Sequence, residues 1–103
     1  MGISDRISTA DVILDLDAGN KRSLLQDLAQ EAAPRLGRSS EEILKALQAR
    51  EALGSTGLGR GLALPHARLP GGGPPVMLFT RLRKPIDYEA RDEEPVDLVI
   101  LVL

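Results

Sequence analysis

Arg50-Glu51-Ala52-Leu53-Gly54-Ser55-Thr56-Gly57-Leu58-Gly59-Arg60-Gly61-Leu62-Ala63-Leu64-Pro65-His66-Ala67-Arg68 runs from the end of a helix, through a loop punctuated by glycines, to a short strand and the chain's one histidine. Any chemistry that needs an imidazole falls at His66. A neutral imidazole is nucleophilic near pH 7 without large tuning. Pro65 restricts the backbone at Leu64 and at itself, so the ring leaves the short strand in a fixed direction. Gly54, Gly57, Gly59 and Gly61 free backbone N–H groups to face an anion, and the hydroxyls of Ser55 and Thr56 add donors. The same glycines read equally as a helix C-cap followed by hairpin-like turns. They form neither the dinucleotide fingerprint nor, without Gly-Lys-Ser/Thr, a P-loop.

Working outward, Ser39 and Glu42 stand at capping-box spacing, and a helix is expected from Ser39 to Leu53 with Gly54 as its stop. At about 100° per residue, Ile43, Leu44, Ala46, Leu47 and Leu53 define its buried stripe, and Arg50 falls near the centre of it. A guanidinium there needs a partner, because unpaired burial of a charge is very costly. Either Arg50 pairs with an internal carboxylate or bends out past the helix end, or it is a forked donor held for a phosphate or carboxylate. Arg68 is expected at the surface, as a solvated charge or as a docking cation for an acidic or phosphorylated partner.

Further upstream, Leu24, Leu25, Leu28, Ala29 and Ala32 recur at helical spacing and predict a helix over 21–33, with Asn20 as N-cap and an end between Pro34 and Gly37. Val12-Ile13-Leu14-Asp15-Leu16 reads as a strand before it. Downstream, 54–61 reads as loop, 62–64 as a short strand, 69–75 as a surface connection, 76–82 as a strand and 85–94 as an acidic connection. Val96-Asp97-Leu98-Val99-Ile100-Leu101-Val102-Leu103 is apolar enough for a strand buried on both faces. A terminal strand of that kind with nothing after it suggests either a chain cut short at its C-terminus or an edge strand that pairs with a second copy as a dimer seam.

The 103 residues suit one domain. Apolar residues at 43% are too many for a disordered chain, and aromatics at 2% force a core of Leu, Ile, Val and Ala and leave no stacking platform for single-stranded nucleic acid. A formal charge of −2 gives no general affinity for phosphate backbones or anionic membranes, so neither nucleic acid nor membrane insertion is expected. With no Cys and a single His, a transition-metal site is not expected. Asp87, Glu89, Asp92, Glu93 and Glu94 lack the spacing of a calcium loop and read as a solvated face. No Gly-x-Ser-x-Gly elbow is present. The start, Met1-Gly2-Ile3-Ser4-Asp5-Arg6, lacks the apolar region of a signal peptide, and a cytoplasmic protein is the default.

The run from Arg50 to Arg68 resembles the signature of the fructose/mannitol-type enzyme IIA domain of the bacterial phosphotransferase system, nearest its nitrogen-regulatory branch. Lys21, Pro85-Ile86-Asp87-Tyr88 and Pro95-Val96-Asp97-Leu98 extend the likeness across 1–103. The resemblance implies an α/β domain with a mixed sheet flanked by helices. Its motif histidine, here His66, accepts a phosphoryl group from a small histidine phosphocarrier protein, and its motif arginine is Arg50. The family also uses a second histidine further along, beyond the point where this sequence ends, so the domain is expected to be incomplete at its C-terminus. Transfer between imidazoles calls for no Mg²⁺ and no organic cofactor, since Arg50, Ser55, Thr56 and the Gly57 loop can offset the charge on the phosphoryl oxygens. With nothing transporter-like attached, the expected output is regulatory, passed to a downstream target. A sugar-specific component delivering to a IIB partner, and a docking module without phosphotransfer, are the alternatives.

Overall fold

The computed structural model describes residues 11–71 and 75–103. The leader reading at the N-terminus, and residues 72–74 of the glycine-proline connection, lie outside the described residues. The elements are β1 (Val12–Leu16), α1 (Lys21–Leu36), α2 (Ser40–Ala52), β2 (Gly57–Gly59), β3 (Leu62–Ala63), β4 (Met77–Ile86) and β5 (Val96–Val102). The strands form one sheet in the order β1-β4-β5-β3-β2. β1 runs parallel to β4 and β3 parallel to β5, while β4–β5 and β2–β3 are antiparallel. The α/β class with a mixed sheet and helices is the one expected.

Both helices begin where their caps predict. The Asn20 side chain accepts from the Ser23 N–H at 2.8 Å, and the Ser39 hydroxyl accepts from the Glu42 N–H at 3.2 Å, each satisfying a donor that the first turn leaves open. α1 runs through Pro34 to Leu36, within the expected end between Pro34 and Gly37. Pro34 sits in the last turn, where it removes one ladder bond, and Gly37 then closes the helix in the left-handed region at φ 65°.

The α1 residues Leu24, Leu25, Leu28, Ala29 and Ala32 are all buried, and they join Ile43 and Leu47 of α2 with Leu78, Leu82, Val99 and Leu101 of the sheet in one core. Each fully buried leucine or isoleucine contributes about 1.5–3 kcal/mol. No helix among the described residues is long and apolar enough to cross a membrane.

Several expectations are corrected. β5 is not evenly buried on both faces: Val99 and Leu101 are fully buried on one, while on the other Val96 is buried, Ile100 and Val102 are half-buried and Leu98 is 43% exposed. Nor is β5 an edge. β4 pairs along one side and β3 along the other, and beyond β3 the chain holds on at Val102, whose N–H donates to Pro65 O at 3.0 Å. A dimer seam made by edge pairing of the final strand is therefore closed off; among the described residues the sheet edges are β1 and β2. β4 continues past Leu82 to Ile86, with Pro85 in the irregular stretch between Arg81 and Ile86 where its missing N–H breaks no ladder bond. Leu53, counted in the α2 stripe, is 84% exposed because it caps the helix instead of extending it.

Candidate functional site

His66 is stitched to the end of β5 on both sides. Besides the Pro65 bond, the Ala67 N–H donates to Val102 O at 3.3 Å, and the Leu64 N–H ties the same segment to Thr56 O at 3.0 Å. Pro65 and this backbone ladder fix where the half-buried ring points. It looks into a hollow of about 310 Å³ that it shares with Arg50, Ser55, Thr56 and Gly57. Leu58 and Leu64 supply the apolar wall, and Arg91 closes the rim.

The hydrogen bonds decide the tautomer. His66 Nδ1 lies 2.8 Å from Leu64 O. A carbonyl can only accept, so Nδ1 carries the proton. Nε2 faces the Nε–H of Arg50 at 3.4 Å, and a guanidinium can only donate, so in the neutral ring Nε2 presents its lone pair. The two constraints agree. Arg50 is anchored by a 2.9 Å bond from Nη1 to Gly54 O, across the end of its own helix. It lies on the line of Ile43 and Leu47, turned toward the hollow, and it meets no carboxylate among the described residues.

The other anticipated phosphate ligands are engaged elsewhere. Ser55 Oγ donates to Tyr88 O at 3.1 Å and accepts from the Gly57 N–H at 3.1 Å. Thr56 turns both donors onto Glu51: its N–H lies 3.1 Å and its hydroxyl 3.0 Å from Glu51 Oε1. Since the Thr56 proton goes to Glu51, the 3.0 Å contact between Thr56 Oγ1 and Tyr88 Oη has Tyr88 as donor. Ser55, Thr56 and Gly57 therefore shape the hollow by holding its loop. Arg68 does not line it.

Behind the hollow sits a polar network that the sequence did not disclose. Lys21 Nζ reaches Glu51 Oε1 at 3.1 Å and lies 4.6 Å from the centre of the Tyr88 ring. Burial alone would raise the Glu51 carboxyl, but the hydrogen bonds from Thr56 and the Lys21 charge outweigh it and hold the pKa below the ordinary 4.5. Burial pushes the Tyr88 hydroxyl well above its ordinary range, and the Glu51 charge adds to the rise, so the phenol stays a donor. One signal was available: Lys21 opens α1, where the helix dipole disfavours a cation, which asks for a nearby carboxylate. Tyr88 is the chain's one tyrosine and is fully buried within an otherwise acidic connection. Arg91 is a cation in that same connection.

Among the described residues no three His, Cys, Asp or Glu side chains are grouped to hold a metal ion.

The family model described as phosphoenolpyruvate-dependent sugar phosphotransferase system, EIIA 2, matches residues 7–103. A nitrogen regulatory protein of Bradyrhizobium diazoefficiens is 40% identical over 103 residues, covering 100% of this chain and 67% of that protein. The crystal structure of nitrogen regulatory protein IIA-Ntr from Neisseria meningitidis matches with a TM-score of 0.93 at 34% identity, over 98% of this chain and 69% of that one. IIA mannitol from Escherichia coli matches at TM-score 0.78 and 18% identity, over 93% of this chain and 70% of that one, a likeness of fold alone. The chain spans about half to two-thirds of the length of the curated relatives it matches.

Proposed function

Because the chain belongs to the EIIA 2 family of the phosphoenolpyruvate-dependent sugar phosphotransferase system, we propose that His66 is a phosphoryl acceptor whose Nε2 takes the group from a histidine phosphocarrier protein. The observation that carries this is the tautomer: a protonated Nδ1 held by Leu64 O at 2.8 Å leaves Nε2 bare in an open hollow beside a guanidinium.

The step balances without a base. The donor ring, phosphorylated on one nitrogen and protonated on the other, loses its N–P bond and departs as neutral imidazole. Nε2 of His66 forms the new N–P bond, and the ring becomes the cation, with its positive charge shared through Nδ1–H with Leu64 O. No proton changes hands. Transfer is close to isoenergetic, so catalysis consists of in-line positioning and of charge stabilisation at the phosphoryl oxygens. Arg50 serves both ends of the step. Its Nε–H rests on the Nε2 lone pair, then turns to a phosphoryl oxygen once that lone pair is in the new bond, while the N–H groups not held by Gly54 take the remaining charge.

The output is regulatory: relatives 40% and 38% identical to this chain are nitrogen regulatory proteins, which favours this reading over sugar delivery. Arg68, outside the hollow, serves docking of the partner. Incubation with phosphoenolpyruvate, enzyme I and the phosphocarrier tests the proposal. One phosphoryl group per chain, absent from His66→Ala, is the expected result; a folded sample that stays unlabelled leaves only a docking module.

A further inference from the structure

We infer that Arg91 is a second phosphoryl-binding guanidinium, closing over the group on His66 from the rim of the hollow. The inference rests on the phosphoryl-acceptor reading and adds a residue to it. It follows from the donors that remain free. A phosphoryl dianion on Nε2 needs its oxygens covered, yet the hydroxyl of Ser55, both donors of Thr56 and the N–H of Gly57 are all engaged within the loop. Of the described residues lining the hollow, only Arg50 and Arg91 carry positive charge besides the phosphorylated ring itself.

Arg91 is not placed there by chance of a loose loop. Ala90, immediately before it, is pressed on Gly57 so closely that a Cβ added to Gly57 would lie 2.7 Å from Ala90 Cβ. Asp92, immediately after it, accepts the Arg60 N–H at 2.8 Å in the turn between β2 and β3. The turn itself is closed by Glu93 N–H on Ala90 O at 3.0 Å. Both flanks of Arg91 are thus pinned to the loop that leads to His66. Despite acidic residues on either side of it in sequence, its guanidinium makes no ion pair among the described residues, so it is available to an incoming anion. Arg91 is exposed, which leaves the guanidinium free to swing over a phosphoryl group and still admit a partner's imidazole along the in-line path.

Two measurements on the full chain test this. Inorganic phosphate is titrated while the His66 ring is followed by NMR, and separately the chain is treated with phosphoramidate, whose N–P bond breaks with release of ammonia as the phosphoryl group moves to Nε2. The variants are Arg91→Gln, Arg91→Lys and, as a control for net charge, Arg83→Gln on exposed β4. Arg91→Gln is expected to weaken phosphate binding roughly three- to tenfold, the size of one partly solvated charge-assisted contact. It is also expected to raise the second pKa of the phosphoryl group on His66, read by ³¹P NMR, because a neighbouring cation favours the dianion. Arg91→Lys restores part of both effects and Arg83→Gln changes neither. Equal binding and equal phosphoryl pKa in Arg91→Gln and the unaltered chain overturn the inference and leave Arg91 a solvated cation. Phosphate binding that depends on Arg91 without labelling of His66 overturns the acceptor reading instead and leaves Arg91 an anion contact.

Discussion

Glu51→Gln removes a negative charge on which the Thr56 N–H, the Thr56 hydroxyl and the Lys21 ammonium converge at 3.1, 3.0 and 3.1 Å. Hydrogen bonds to a charged group contribute about 1.5–3 kcal/mol, and stranding one member of a buried pair costs about 3–5 kcal/mol. Two features pull the cost toward the low end. Glutamine keeps an acceptor for Thr56, and Lys21, at 16% side-chain exposure and 3.6 Å from Glu89, has water and a second carboxylate to turn to. About 2 kcal/mol for Glu51→Gln and about 3 kcal/mol for Glu51→Ala follow. At roughly 4–8 °C per kcal/mol for a domain of this size, Glu51→Gln melts about 10 °C lower. The sign of the pH dependence is fixed as well. A carboxyl whose pKa folding lowers stabilises the fold above its ordinary value of 4.5, and the contribution is lost as pH falls through the lowered value. Urea unfolding is the assay: the gap in midpoint between Glu51→Gln and the unaltered chain is full at about pH 7 and closes below pH 4.5. Equal midpoints at neutral pH, or a gap that stays constant into acid, would show that the network does not hold the loop.

Three further outcomes are expected. Thr80 is fully buried on β4 and its hydroxyl has no partner among the described residues, so Thr80→Val stabilises the fold by about 1 kcal/mol, seen as a higher urea midpoint with m unchanged. Gly57→Ala drives a methyl to 2.9 Å from Ala90 Cα; the clash costs about 1–3 kcal/mol in thermal melts and slows labelling of His66 by pushing the Arg91 turn away. Arg50→Lys keeps the charge but loses the fork, and labelling of His66 by the phosphocarrier slows roughly tenfold or more while the melting temperature changes little.

What the sequence discloses here is what is written in single side chains and their spacing. The α1 stripe from Leu24 to Ala32 and the caps Asn20 and Ser39 are of that kind, and so are His66 and Arg50, the first by its uniqueness and the second by a charge set among apolar neighbours. β2 escaped because Gly57, Leu58 and Gly59 carry almost no side chain to alternate; its strand character comes from pairing with β3. β5 misled at Leu98, which is as apolar as the residues that reach the core yet stands 43% exposed on the face that Val96, Ile100 and Val102 bury in full or in part. The donors at Ser55, Thr56 and Gly57 were visible but not their aim. Glu51, on the last turn of α2, draws Thr56 inward, and in sequence it looks like any charged residue on a helix. Arg91 and Tyr88 reach the site only because the chain returns there after β4, a long-range closure that no local pattern encodes.

The most direct test is to phosphorylate the chain through the phosphocarrier and assign the modified ring atom by nitrogen and phosphorus NMR. The bond to phosphorus forms at Nε2 of His66, with Nδ1 still protonated against Leu64 O. Phosphorus on Nδ1, or on any residue other than His66, would contradict the account.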